Sequence, residues 1–231
     1  MSEDPEIKRI QVSVYKIPTD FPESDGTLEW TDTTTVVVEA YAGNTRGIGY
    51  TFADTATGQL IKDKLAPLLV GADAMAVPAS WLAVVRSIRN LGRPGIAAMA
   101  ISALDVALWD LKARLLNLPL LGLLGKIRDR VPVYGSGGFT SYSLEQLQSQ
   151  LAGWAAAGIR SVKMKIGREP AADPQRVRAA RSAIGPDVGL LSTPTVRTTE
   201  NKRCWKPSGS QPIESPGLKS RFPLMTSRAC G

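Results

Sequence analysis

The 231 residues are 43% hydrophobic and include 16 Pro and 21 Gly, a composition that fills a core and excludes a disordered polyelectrolyte. No apolar run reaches the roughly 20 residues of a membrane span, and Met1 to Glu6 is acidic, so no anchor or signal peptide is expected and the cytoplasm is the expected setting. Of the net charge of +7, residues 191–231 hold seven Lys or Arg against two Asp or Glu, leaving only +2 on residues 1–190, where no basic patch interleaved with aromatics marks a nucleic-acid surface.

Alternation from Ile10 to Ile17 predicts a first strand, and Pro18 to Trp30, rich in Pro, Asp, Glu and Gly, reads as an exposed loop. Thr33 to Ala42 is β-branched, and Gly43 with Asn44 turns it into a third strand, Gly47 to Phe52, which completes a meander. The period then becomes helical from Thr57 to a stop at Gly71, and again from Pro78 to Leu91. Pro94 to Leu116 is the most helical segment, with Ile96, Met99, Ala100, Ala103, Leu104, Ala107, Leu108 and Leu111 as its buried stripe. Asp105 and Asp110 on it read as structural hydrogen-bonding groups. Val131 to Phe139 predicts a strand running into a glycine-rich loop, without the glycine spacing of a phosphate cradle.

Ser143 to Ala157 and Asp173 to Ile184 are helical patterns on either side of Ser161 to Gly167, S-V-K-M-K-I-G. Strands alternating with helices imply a parallel sheet or barrel. Val162, Met164 and Ile166 share one face of this strand, so Lys163 and Lys165 share the other, about 7 Å apart. On an open antiparallel sheet that face is merely solvated. In a parallel sheet both faces are covered, and an amine held beside a second ammonium gives up its proton readily enough to serve as a general base.

The meander, the helices, A-I-S-A-L-D-V-A-L-W-D-L-K-A-R (Ala100 to Arg114), P-L-L-G-L-L-G (Pro119 to Gly125), a strand and K-M-K together resemble the mandelate racemase and muconate lactonizing enzyme family of the enolase superfamily. The resemblance runs from residue 7 to about 190. It implies an α+β N-terminal capping domain over residues 1–125, then the first strands and helices of an incomplete (β/α) barrel over 126–190. Residues 191–231 form an aberrant tail, expected to lack order. It also implies Lys165 as the proton-abstracting base and Lys163 as its electrostatic partner. Pro18 to Trp30 and Thr51 to Thr55 become specificity loops, with Asp20, Phe21, Glu23, Trp30, Thr51 and Phe52 as substrate-binding residues. The implied chemistry is removal of a proton α to the carboxylate of a small molecule, by a racemase or epimerase, a cycloisomerase or a dehydratase, with Mg²⁺ stabilising the enediolate. A homo-oligomer is implied for the intact enzyme.

Such a metal needs hard oxygen ligands. The family takes them from D-x-N and E-E-P motifs on the next strands, and this sequence has neither. After Gly189 it reads Leu190, Leu191, Ser192, Thr193, Pro194, Thr195, so no residue is assigned to a metal and the chain as given is expected to bind none. A shifted frame changes the picture. Codons rebuilt from the third base of one residue and the first two of the next allow Asp at Ser192/Thr193, then Ala, Asn, Gly, Ala and Tyr. Further on, Pro216 to Pro223 become compatible with W-L-E-E-P-V. Two motifs in order within one frame point to a one-base slip near Leu191. The first reading is therefore a fragment of a metal-dependent enzyme, inactive and self-associating as given. The alternative is a non-catalytic pseudogene product or a binding module acting through its basic tail.

Overall fold

A computed structural model describes residues 5–194. The expectation for the tail from residue 195 onward lies outside the described residues. Three strands, β1 (Arg9–Ser24), β2 (Glu29–Ala42) and β3 (Thr45–Phe52), form an antiparallel sheet in the order β1-β2-β3, as the meander requires. Alternation along β2 points Val36, Val38, Ala40 and Ala42 inward. Against them pack α1 (Thr55–Leu60), the turn that follows it, α2 (Val77–Ser87) and its C-cap, and α3 (Ile96–Leu115), through Ile61, Leu65, Val84, Ile88, Leu104, Leu108 and Leu111. Each such fully buried aliphatic side chain contributes roughly 1.5–3 kcal/mol.

Small residues set how closely α3 approaches. A Cβ at Gly47 would stand 2.3 Å from the Ala107 carbonyl oxygen, and one at Gly49 would stand 2.2 Å from that of Ala103. The sheet therefore touches helix backbone at glycines facing alanines. Asp110 reinforces this contact by accepting the Ile48 N–H at 2.9 Å and Arg114 Nε at 2.8 Å. Asp105 is partly buried, which pushes its carboxyl above the usual range, and a hydrogen bond with Trp109 acts the other way.

Several expectations need correction. Pro18 to Trp30 is no loop: β1 runs on to Ser24 and β2 starts at Glu29, so the segment is the end of a hairpin. Pairing slips between Pro18↔Asp32 and Glu23↔Trp30, so residues 19–22 bulge opposite Thr31, next to two prolines that cannot donate to the ladder. Likewise Thr51 and Phe52 lie in β3 and Thr55 begins α1, which leaves only Ala53 and Asp54 between them. Ile96 and Met99 are 43% and 40% exposed, because the buried face of α3 runs instead through Ala97, Ala100 and Ile101. The helix predicted from Thr57 passes through a π turn at Ile61–Leu65 into a 3-10 turn at Ala66–Leu68, where Pro67 interrupts the α pattern.

After α4 (Leu120–Leu124) comes a second sheet, parallel and ordered β4 (Gly135–Ser136), β5 (Ser161–Ile166), β6 (Gly189–Pro194). Helices α5 (Leu144–Ala156) and α6 (Asp173–Ile184) follow β4 and β5. Ser143 and Gln146 close a capping box at the start of α5. Leu147, Leu151, Val162, Met164, Ala180 and Ile184 form this sheet's own core. Among the described residues, the strand expected over Val131 to Phe139 pairs in parallel with β5 at Gly135 and Ser136, while Val131 and Val133 are 66% and 67% exposed. β6 continues to Pro194, past the expected break at Leu191, because its backbone completes the ladder with β5 whatever its side chains.

Candidate functional site

The alternation of β5 buries Val162 and Met164 and turns Lys163 and Lys165 to the opposite face, where both are half-buried. Register with β6 places Leu191 beside Lys163 and Thr193 beside Lys165. Lys163 Nζ stands 5.2 Å from the centroid of the Tyr134 ring. The Lys165 N–H donates to the Gly138 carbonyl at 2.9 Å, and the Gly137 N–H donates to that of Lys163 at 3.1 Å. Gly138 has φ +58°, and a Cβ there would meet Met164 Cβ at 2.7 Å, so the strand–loop contact requires glycine.

The loop from Phe139 to Tyr142 is fixed from behind by α6. Arg176 Nη1 donates to the Tyr142 carbonyl and Nη2 to the Phe139 carbonyl, both at 2.7 Å. Burial pushes this guanidinium below its usual value, and the carboxylates of Asp173 and Glu169 act in the opposite direction. Asp173 also accepts the Gly167 N–H at 3.0 Å, so the first turn of α6 holds the ends of two strands. A cavity of about 180 Å³ lies here, lined by Thr140, Arg168, Asp173 and Arg176 among others, and neither lysine lines it. It is smaller than the roughly 300–1,000 Å³ of usual ligand sites.

The β1–β2 hairpin docks on the front of the same loop. Ser24, fully buried, shares a hydrogen bond of 2.6 Å with the Thr140 hydroxyl. The Thr140 N–H donates to the Ser24 carbonyl at 2.9 Å, and the Thr140 hydroxyl donates to the Asp25 carbonyl at 2.9 Å. Ser141 Oγ donates to the Pro22 carbonyl at 2.6 Å, and Arg168 pairs with Glu29. Edge-to-face aromatic contacts join Trp30 to Phe139 at 5.6 Å, Phe139 to Tyr142 at 5.5 Å and Phe21 to Tyr142 at 6.3 Å.

The fold thus brings Phe21, Glu23 and Trp30 of the expected residues to the loop that follows β4. Glu23 accepts from Trp30 Nε1 at 2.8 Å. Burial raises the Tyr142 hydroxyl above its usual value, and the charges of Glu23 and Asp20 add to the effect. Phe52, 66% exposed, shares a surface hollow with Trp30, Asp32 and Asp54, while Thr51 pairs with Val36 inside the sheet. Asp25, Thr140 and Arg176 escaped sequence reasoning. The dipeptide Asp25–Gly26 was the available signal for the first, since it marks a turn between two strands.

Divalent magnesium does not fit the residues present around the lysines. The neighbouring positions on β6 are Leu191 and Thr193, and among the described residues no three His, Cys, Asp or Glu side chains stand together.

Comparison with known proteins agrees with this architecture. Residues 9–125 match the mandelate racemase / muconate lactonizing enzyme N-terminal domain. The chain is 33% identical over 201 residues to 3,6-anhydro-alpha-L-galactonate cycloisomerase of Streptomyces coelicolor, covering 84% of this chain and 55% of the relative. It is 35% identical over 150 residues to L-talarate/galactarate dehydratase of Salmonella typhimurium, covering 63% and 38%. A mandelate racemase/muconate lactonizing enzyme-like protein from Rubrobacter xylanophilus superposes with a TM-score of 0.80 at 58% identity, over 81% of this chain and 52% of that one. A racemase from Streptomyces coelicolor, solved with bound magnesium, superposes with a TM-score of 0.76 at 32% identity, over 80% and 54%. This chain matches between 38% and 55% of the length of these relatives. It belongs to the mandelate racemase and muconate lactonizing enzyme family of the enolase superfamily.

Proposed function

We propose that this chain bears the base of a site that removes the proton α to the carboxylate of a small organic acid. Lys165 takes the proton, and Lys163 attracts the substrate's negative charge. The observation that carries this reading is the pair of ammonium groups on one face of β5, beside the loop on which the capping hairpin is seated. Similar proteins act on sugar acids, as cycloisomerases and dehydratases. The setting is the cytoplasm, and the intact enzyme is a homo-oligomer.

The chain as given is inactive in this reading, because the lysines have no carboxylate neighbours on β6 to hold a metal. Those acidic residues are encoded in the frame displaced by one base near codon 191. Adding one base there tests the proposal. The restored protein should exchange the α-proton of a sugar acid with solvent deuterium, and Lys165→Ala should abolish that exchange on at least one substrate face. The 231-residue chain should catalyse no exchange and should bind Mg²⁺ no tighter than about millimolar, in the range of weak carboxylate sites. Turnover by the chain itself would refute the reading. The second reading, a non-catalytic product, is favoured by the same missing carboxylates. It requires that the DNA past codon 191 hold no continuous second frame, which sequencing decides.

A further inference from the structure

Residues 74–104 contain no Asp, Glu or Lys, and their charged side chains are Arg86, Arg89 and Arg93. All three are exposed, and all three line one hollow of about 490 Å³ on the capping domain, together with Val85 and Ile88. Among the described residues no carboxylate lines this hollow and none of the three guanidinium groups enters an ion pair, whereas Arg46, Arg114 and Arg168 are matched by Glu39, Asp110 and Glu29.

A basic side chain in the last turn of a helix ordinarily complements the helix dipole. That accounts for Arg86, in the last turn of α2, and for Arg89 just past the C-cap Ile88. It does not account for Arg93, because the dipole's effect falls off within one turn. Arg93 instead folds back on the helix, its guanidinium 5.2 Å from the centroid of the Trp81 ring, and joins the other two around the hollow. Three like charges thus converge on one space over an apolar floor.

We infer that this hollow binds a phosphate monoester, at a site that neither Lys163 nor Lys165 lines and that is independent of the proton chemistry proposed for them. Each guanidinium is a planar fork that pairs with two phosphate oxygens at once. Three forks suit a group with three terminal oxygens and about 1.5–2 negative charges near pH 7. A carboxylate, with two oxygens and one charge, leaves guanidinium groups unmatched. Usual ligand sites measure roughly 300–1,000 Å³, so there is room for the ester's organic part against Val85 and Ile88. A concave, local site favours such a ligand over an acidic protein surface, which would need about 800 Å² on each side. Nor do three charges in one hollow form the extended basic stripe that tracks a nucleic acid.

Arginine labelling with phenylglyoxal, read residue by residue by peptide mass spectrometry, tests this on the 231-residue chain. At constant ionic strength, millimolar glycerol 3-phosphate should slow modification of Arg86, Arg89 and Arg93 about threefold or more. Arg128 and Arg130, exposed and outside the hollow, should be unaffected. Glycerate, which carries a carboxylate on a body of the same size, should protect much less. Arg89 then reports on two variants that each remove two charges. Arg86→Gln/Arg93→Gln should raise the Kd for glycerol 3-phosphate about tenfold or more, the effect of losing a charge-assisted contact. Arg128→Gln/Arg130→Gln should change it less than about twofold. Arg93→Lys keeps the charge without the fork and should fall between the unaltered chain and the double variant. Equal slowing at Arg130, equal protection by glycerate or by a glutamate-rich peptide, or Arg89 protection that survives Arg86→Gln/Arg93→Gln would overturn the inference.

Discussion

Replacing Arg176 by Met tests whether α6 holds the loop on which the hairpin sits. The guanidinium makes two charge-assisted hydrogen bonds of 2.7 Å, to the carbonyls of Phe139 and Tyr142, from a half-buried position. Hydrogen bonds to charged groups contribute roughly 1.5–3 kcal/mol each. Against that loss stands the relief of no longer burying a cation, whose Nε has no partner among the described residues. The difference comes to a destabilisation of about 2–3 kcal/mol. Most of it should appear locally, because Arg176 touches one loop. Hydrogen exchange should quicken at the Thr140 and Tyr142 amides, which donate to Ser24 and Phe139, with the hairpin amides following. Arg176→Lys should fall between, since an ammonium lacks the fork that spans two carbonyls. Unchanged exchange over residues 138–143 in Arg176→Met would show that the loop is held by the hairpin alone.

Three further outcomes are expected. Gly49→Ala sets a Cβ against helix backbone and should cost about 3 kcal/mol in urea unfolding, while Gly153→Ala, with nothing within 4 Å, should stabilise α5 by about 0.5–1 kcal/mol. Asp105 has its carboxyl raised by burial, so the folded state prefers the protonated form and loses stability as pH rises through its folded value. Asp105→Asn should therefore raise the melting temperature at pH 7, by less than about 1 kcal/mol equivalent given its partial exposure, and leave it unchanged at pH 3. Finally, among the described residues β6 pairs with β5 alone, and Ile127, Val131 and Val133 are 88%, 66% and 67% exposed. A free edge beside apolar surface is a template for association, so light scattering should find the 231-residue chain self-associated. A monodisperse, cooperatively melting monomer would contradict this.

The parts legible in the sequence were those that repeat. Val36, Val38 and Ala40 alternate, and Ala100 to Leu111 recur at helical spacing, so sheet and helix followed directly. Lys163 and Lys165 were legible for the same reason, because a period of two fixes which side chains share a face. The hairpin was not. Pro18 and Pro22 look like loop residues, yet a bulge lets the strand pass them, and only Asp25–Gly26 betrayed the turn. The strand expected over Val131 to Phe139 is present but shorter than its pattern: it runs parallel to β5 at Gly135 and Ser136, Gly137 and Gly138 add backbone bonds to the same strand, and Val131 and Val133 find no strand partner among the described residues.

The joint between the two sheets was least legible, and the reason is physical. Ser24 and Thr140 stand 116 residues apart and meet through hydroxyls and backbone carbonyls, which impose no spacing and no hydrophobic period. Polar contacts of this kind leave each sheet with its own core: one is built on Val36, Leu104 and Leu108, the other on Leu147, Val162 and Met164. The aromatic side chains Phe21, Trp30, Phe139 and Tyr142 close the joint without merging those cores. Substitutions within a core should therefore change global stability with little effect on how the hairpin is seated. Substitutions at the joint should do the reverse, since the hairpin is seated through Ser24, Asp25 and Thr140. Measuring both quantities for Leu147→Ala and for Ser24→Ala, by urea unfolding and by hydrogen exchange, separates the two effects. Leu147→Ala should cost about 2–5 kcal/mol and leave local exchange at the Thr140 amide unchanged. Ser24→Ala should cost less and quicken exchange at that amide, which donates to the Ser24 carbonyl. A Ser24→Ala chain that loses stability as Leu147→Ala does, with exchange at Thr140 unaltered, would show that the joint behaves as core.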